Sequence, residues 1–527
     1  MNLIKFRSRT GLIGTVVFIW MFSLLVPKSL GETEVTDHDV YGQRSELVLD
    51  SHGLHVRVST DVNHAKKTLE NNLSDSPPEV IWSYSDSYSI PESVSLTEDA
   101  TKVWVGQMLN LGRTQLFSTV DNGTPLWECP FSGADPFVAA SEDASIVAAL
   151  VNKGGICTIY KWTSSSSIPD WEYTFPYGYW AYGKSIAVSK DGTTIVAAGS
   201  FSSKGKILAV IFDSTSNVPI WTFTHSDDNP GIRGVDISDD GSIILVASCI
   251  GIYVLERDNQ NVRWTGSTYA TDGHSLSGDG SVVVNGCYDL KVYQWNGSTY
   301  EFLWTYDIPG LWIFGACDVS SDGSTVAVGV NKHGYYLEKK VLMFNTSNST
   351  PLWEYSTSGS GEYQDGVYDV ALSNDGSKCI IGAWGDQYHT HPEVVIFKRN
   401  SPIPIFSMKT PGSVFSVDIS SDGQYATVGC KAVHANVLEM GGVVYSISIE
   451  QTCLLEQIYG KYSEETELLR NFRDNVLSQT PEGQEVIRLY YRWSPVIVKA
   501  MEEDEKFEEW VKEMIDGVLM LIEEKAE

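Results

Sequence analysis

The stretch "VDISDDGSIILVAS", residues 235–248, decides the fold. It begins as an alternating apolar strand, breaks at Asp240-Gly241 and resumes as a β-branched strand ending in small residues. An Asp-Gly pair permits the positive φ that a tight hairpin needs. The phrase returns along the chain as "VSLTEDATKVWVG", "VAASEDASIVAAL", "IAVSKDGTTIVAAG", "HSLSGDGSVVVNG", "CDVSSDGSTVAVG", "VALSNDGSKCIIG" and "VDISSDGQYATVG". Its turn acids are Asp99, Asp143, Asp191, Asp240, Asp279, Asp322, Asp375 and Asp422, spaced 39 to 53 residues apart. That period is the length of one blade of a β-propeller.

A second signal runs in phase with the first. Trp82, Trp127, Trp171, Trp221, Trp264, Trp304, Trp353 and Phe406 occur once per repeat, in strands such as "PLWECP" and "PIWTFT". An aromatic that every repeat requires reads as packing between adjacent sheets. A third strand, as in "KVLMFN", lies between the two signals, which gives four strands per unit. Trp82 precedes the first turn, while the last unit has three strands and no Trp motif after it. Residues 79–86 are therefore expected to supply the outer strand of the final blade, closing the ring and removing exposed edges. The expected fold is all-β, an eight-bladed propeller over 79–450, with seven blades plus an irregular unit as the alternative.

The Ser-x-Asp-Gly units are similar to WD40-type repeats, and the "PLW" strands resemble those of quinoprotein-type (PQQ-like) propellers. A quinoprotein dehydrogenase would bring a coordinated cation, a catalytic acid and a neighbouring Cys-Cys pair. That pair and the cofactor-building insertions are absent from this sequence. Propellers host enzymes and scaffolds alike, so the resemblance implies fold more than activity.

From residue 451 to 527 the chain turns to charged helical patterning, expected as a small α-helical module. "SEETELLRNFRDNVLSQ" aligns Leu468, Leu469, Phe472, Val476 and Leu477 on one face, with Ser463 as N-cap. Phe507, Trp510, Val511, Ile515 and Leu519 form the apolar side of a later helix. Thr480-Pro481 and Ser494-Pro495 are helix-start signals. The stretch "CLLEQIYGKYSEETELLRNFRDNVLSQTPEGQEVIRLYYRWSP" resembles the CFI-box type of C-terminal domain found on exported prokaryotic proteins. Cys453, Tyr459, Gly460, Leu469, Arg470, Phe472, Arg473, Asp474, Gly483, Tyr490, Tyr491, Ser494 and Pro495 carry that resemblance. It implies a surface-associated module and no reaction. Cys453 reads as a small buried residue.

At the other end, Lys5, Arg7 and Arg9 precede an uncharged run over 10–27, followed by Glu32, Glu34, Asp37 and Asp39. This order directs the remainder outward across a membrane. Residues 1–31 serve either as a cleaved signal peptide, with small residues Ser29 and Gly31 at the cleavage site, or as a signal anchor. Residues 32–78 read as a linker. Sequons at Asn72, Asn122, Asn296, Asn345 and Asn348 are candidate glycosylation sites in exposed connections, consistent with export.

The formal net charge of −30 disfavours binding to nucleic acid or anionic lipid. The eight Cys include no CxxC pair, and Cys249, Cys287 and Cys430 read as small core residues at strand ends. No nucleophile–base motif appears, so no catalytic residue, cofactor or metal is assigned. His389 and His391 in "YHTHP" would share one strand face if they bound a metal. In a long connection, without a third ligand, they read instead as polar loop residues with little structural role. Asp236, Asp318 and Asp418 recur four residues before the turn acid, a repetition that points to hydrogen bonding between blades. The sequence thus describes an exported or membrane-anchored binding scaffold for protein or glycan partners. The alternatives are a quinoprotein-like or hydrolytic enzyme using the central funnel, or a structural part of an envelope assembly.

Overall fold

The computed structural model describes 34–38, 44–50 and 53–57, and 78–449 apart from 110–111, 182–183, 202–204, 227–230, 267–272, 310–311, 333–336, 362–364 and 435–439. In the C-terminal part it describes 454–460, 463–475, 490, 494, 497–498, 501 and 505–526. The chain divides into two units, one over 77–450 and the other comprising 1–76 with 451–527.

In the first unit, eight four-stranded antiparallel sheets follow one another in order. Blades 1 to 7 span 90–130, 135–174, 186–226, 232–266, 274–306, 312–358 and 367–408. Blade 8 takes three strands from 414–448 and its outer strand from Glu79–Asp86, which pairs antiparallel with Gly442–Ser448. The ring closes as expected, with eight blades. Trp82 of this closing strand is buried and its indole N–H donates to Ser118 O and Thr119 O of blade 1. Arg113 of blade 1 pairs with Asp86 at the strand's far end.

The burial of each strand explains its composition. Second strands such as Ile243–Ser248 are buried along their whole length, because both faces meet a neighbouring sheet. They are therefore continuously apolar, and each fully buried Val, Ile or Leu contributes about 1.5–3 kcal/mol. Outer strands such as Trp171–Thr174 alternate between half-buried and exposed positions. Between blades 3 and 4 the core consists of Val196, Ala198, Ile207 and Ile211 against Val235, Ile237 and Val246. Small residues end the second strands because the next blade passes close by. A Cβ on Gly329 would lie 2.4 Å from Val367, and one on Gly382 would lie 2.4 Å from Val414.

In the second unit, α1 (Leu454–Tyr459), α2 (Glu464–Asn475) and α3 (Glu505–Ala526) bury Leu454, Val511, Ile515 and Leu519. Ser463 caps α2, its Oγ accepting from Thr466 N at 3.1 Å. Cys453, Val476, Leu477, Thr480, Pro481, Gly483, Tyr491 and Pro495 lie outside the described residues, as do residues 1–31 and Asn72. The expected linker carries structure of its own: β1 (Glu34–His38), β2 (Arg44–Asp50) and β3 (Gly53–Arg57) form a three-stranded antiparallel sheet. Among the described residues, no helix is long and apolar enough to cross a membrane.

Candidate functional site

The repeated turn is a closed hydrogen-bond unit. The hydroxyl two residues before each turn acid, from Thr97 in blade 1 to Ser420 in blade 8, donates to its carboxylate at 2.6–3.1 Å. The carboxylate also accepts the backbone N–H two residues on. Bonds from Ser145 hold the Asp143 carboxyl below its ordinary range. Burial works against Asp191, Asp240, Asp322 and Asp375, but the same kind of bonds outweighs it and lowers each. The turn acids are thus committed to their own hairpins.

The repeated aromatics join blades. The indole N–H of Trp127 donates to Ser164 O, that of Trp171 to Ser214 O, that of Trp304 to Thr346 O and that of Trp353 to Arg399 O, in each case in the next blade. Phe406 has no N–H and packs against the core of blade 8.

First strands of neighbouring blades touch one another and line the axis. Their aspartates tie blades together. Asp236 accepts Leu276 N of blade 5, Asp318 accepts Leu372 N of blade 7 and Asp418 accepts Leu96 N of blade 1, each at 2.8 Å. A fourth, Asp369, accepts Val417 N at 3.0 Å. It stands six residues before its turn acid, so the four-residue offset overlooks it. Burial pushes the Asp236 carboxyl up to about 6 and Asp418 up to about 7, and raises Asp318.

Two positions of the repeat vary from blade to blade, and both lie on this axis. The residue immediately before the turn acid is Glu98, Glu142, Lys190, Asp239, Gly278, Ser321, Asn374 or Ser421. Backbone bonds link these turns from blade to blade, as from Glu142 N to Lys190 O and from Asp239 N to Gly278 O. Lys190 reaches across from blade 3, its Nζ 3.1 Å from Glu98 Oε1, 3.1 Å from Asp239 Oδ1 and 2.9 Å from Asn374 Oδ1. Asn374 Nδ2 donates to Glu98 Oε2 and Ser421 Oγ, both at 2.8 Å. Side chains from blades 1, 3, 4, 7 and 8 therefore knit this mouth into one network. Outside it, turns of blades 4 to 7 line a bowl of about 670 Å³.

The second variable position stands seven residues before the turn acid, at the opposite mouth. It holds Glu92, Pro136, Lys184, Arg233, Gly315, Tyr368 and Phe415 in blades 1, 2, 3, 4, 6, 7 and 8. In five of these blades the register skips it, so that Glu92, Arg233, Gly315, Tyr368 and Phe415 are the extra residues of β-bulges. A bulge re-aims a side chain out of the ladder, which is why bulges gather near binding sites. Tyr368 stacks on Trp384 with ring centroids 5.3 Å apart, and Phe415 meets Tyr368 edge-on at 5.7 Å. Lys184 crosses from blade 3 to Asp369 of blade 7 at 2.9 Å. Burial alone would lower the Lys184 ammonium, but Asp369 and Asp318 outweigh it and raise it. Burial, reinforced by Asp135, pushes the Glu92 carboxyl up to about 7.

The exposed aromatics favour the same end. Tyr88, Tyr177, Trp180, Tyr288, Tyr368 and Tyr388 are all at least 41% exposed, and all lie where first strands begin or second strands finish. Phe302, on the outer strand of blade 5, is the exception among the described residues. Exposed Leu126, Ile168, Val218, Leu352 and Ile403 are aliphatic and lie at the other end, before the outer strands. Asn122, Asn296 and Asn348 are exposed at that end too. Asn345 is half-buried, its Oδ1 accepting Arg399 Nη2 at 2.5 Å.

His389 and His391 stand in a loop with separate partners, so a shared strand face does not form. His391 Nε2 meets Ser358 O at 3.0 Å, while His389 Nδ1 meets Glu393 Oε1 at 2.8 Å. Glu393 is fully buried and also accepts Thr410 N at 2.9 Å. His389 therefore has a structural role that its loop position conceals. Among the described residues, no three His, Cys, Asp or Glu side chains are grouped to hold a metal ion. No disulfide forms among the described cysteines; Cys430 is buried, whereas Cys249 and Cys287 are only half-buried.

These features define an eight-bladed β-propeller. No family model matches the chain, and no curated protein matches it. Among solved structures it is similar to the β-propeller domain of Cps50 (Swd1) from Myceliophteria thermophila, at 9% identity and a TM-score of 0.43, covering 58% of this chain and 96% of that one.

Proposed function

We propose that this propeller is an extracytoplasmic binding scaffold, without catalytic activity, that presents the face where its first strands begin to a protein partner. The observation that carries this reading is the gathering of exposed Tyr and Trp at that end. Exposed aromatics supply large contact area at low conformational cost and are enriched where proteins bind. The opposite mouth is knitted shut by Lys190, and the exposed sequons lie on that side, so glycans there would leave the aromatic face clear. The charge order of residues 1–39 and the CFI-box-like character of the C-terminal stretch support export or anchoring at the surface.

The test is site-specific photo-crosslinking in cells that make the chain. A crosslinker replacing Tyr88 or Tyr388 should give discrete protein adducts, whereas one replacing Ile168 or Ile403 should not. Adducts from the second pair alone would overturn the assignment of the face.

A further inference from the structure

Blades 7, 8 and 1 bring three kinds of side chain to one stretch of the bulged mouth. The first is aromatic: Tyr368 and Phe415 are extra residues in adjacent first strands, and Trp384 packs against both rings. The second is an acid. It is Glu92, the bulged residue of the first strand of blade 1, a strand bonded to the first strand of blade 8 through Val94 N on Ser416 Oγ and Leu96 N on Asp418 Oδ2. The third is a pair of buried polar atoms left without a hydrogen-bond partner, Glu92 Oε2 and Trp384 Nε1. A buried acceptor and a buried donor each cost about 1–3 kcal/mol when unsatisfied, so their coincidence at one mouth calls for a ligand.

We propose that this part of the mouth takes a lysine or arginine side chain of the partner polypeptide, its cation on Glu92 and its stem across Phe415 and Tyr368, with Trp384 Nε1 donating to a partner carbonyl. The inference rests on the aromatic face being the partner's. Aromatic ring faces attract cations, most strongly where water is excluded. The chain's net charge of −30 draws basic segments toward it and repels acidic ones. Lys184 shows that the axis accommodates a lysine held by carboxylates, in its case Asp369. Asp135 of blade 2 is the charged group that bears on Glu92 and helps keep its proton on; an arriving cation would drive that proton off.

The test is titration calorimetry of the full-length chain with capped pentapeptides carrying a central arginine, lysine or citrulline. Arginine and lysine peptides should bind and the citrulline peptide should not. Glu92→Gln should weaken binding about tenfold, and Tyr368→Ala or Phe415→Leu about fivefold, as lost charge-assisted and cation–π contacts require. Glu301→Gln, an exposed acid on blade 5, should leave affinity unchanged. Binding near neutral pH should release protons, seen as a dependence on buffer ionisation heat, since burial raises the Glu92 carboxyl and an arriving cation would lower it. That release should vanish in Glu92→Gln, a readout independent of any change in packing. No binding of any peptide, equal binding of citrulline, or equal loss in Glu301→Gln would overturn the proposal. Adducts at Tyr88 or Tyr388 would still stand in that case, which separates this failure from failure of the scaffold reading.

Discussion

Lys190 of blade 3 donates to Asn374 Oδ1 of blade 7 at 2.9 Å, joining residues 184 positions apart across the propeller axis. Because those blades face each other in a ring of eight, the bond is a strut and not a neighbour contact. Lys184, six residues earlier, makes a second strut to Asp369 of the same blade. The two lysines tie opposite walls together at two levels.

Lys190→Met should therefore destabilise the propeller by about 1–3 kcal/mol, the range for leaving partly buried polar partners unsatisfied. Burial raises the Glu98 carboxyl, and Lys190 is the main group that lowers it. Without Lys190 the folded-state pKa of Glu98 rises further, so the loss should be greater at pH 8 than at pH 5. Urea unfolding of both proteins at the two pH values checks this; equal losses would show that the Glu98 contact contributes nothing.

The axial acids set the pH dependence of the whole domain. Asp236, Asp418 and Glu92 have folded-state values of about 6, 7 and 7, above the ordinary values of unfolded carboxyls. A carboxyl raised on folding holds its proton more tightly in the native state. Its contribution is fully present below the unfolded value and is lost as pH rises through the folded one. The turn acids are lowered on folding and act oppositely, their contribution being lost as pH falls through their depressed values. Stability should therefore be greatest in mildly acidic solution and decline from pH 5 to pH 8. A urea midpoint that rises over that interval would mean that channel water solvates the axial acids.

His389 and His391 should behave differently when replaced singly. His389→Ala removes the partner of Oε1 of the buried Glu393 carboxyl, leaving only the Thr410 N–H on Oε2, at a cost of about 1–3 kcal/mol. His391→Ala loses one bond to Ser358 O at the surface and should stay within about 0.5 kcal/mol of the parent. Thermal unfolding of each variant decides the matter, and equal effects would return both residues to the status of loop polarity.

What was legible in the sequence was whatever repeats. The turn acid and the aromatic stand out because eight units place the same chemistry at the same offset, and the axial aspartate because three units do. The residues that distinguish this propeller occupy the two offsets where the units disagree, and there a search for agreement passes over Lys190, Glu92 and Phe415. β-Bulges leave no mark on apolar alternation, since one extra residue in a short first strand reads as an ordinary shift. The role of His389 is hidden in the sequence because its partner Glu393 is a charged residue in the same loop, and nothing local reveals that Glu393 is buried. The strands at 34–57 give no clear strand signal because "EVTDH" and "RSELVLD" are interrupted by charges at Glu34, Asp37, Arg44, Glu46 and Asp50.

Closure yields the last prediction. Glu79–Asp86 is separated from its partner Gly442–Ser448 by nearly the whole domain, yet it supplies the outer edge of blade 8. It also buries Trp82 against Phe117 of blade 1, with ring centroids 5.3 Å apart, and anchors the indole N–H on two carbonyls. Deleting residues 79–86 removes these contacts and uncovers the backbone groups of Gly442–Ser448, an unpaired edge able to recruit other chains. Trp82→Ala alone keeps the edge covered but empties a large buried site, at a cost of about 3–5 kcal/mol. The deletion should therefore drive association visible by light scattering. The substitution should lower the melting temperature while leaving the protein monomeric. A deletion protein that remains monomeric and melts like the parent would show that blade 8 is stable with three strands and that the ring does not depend on this closure.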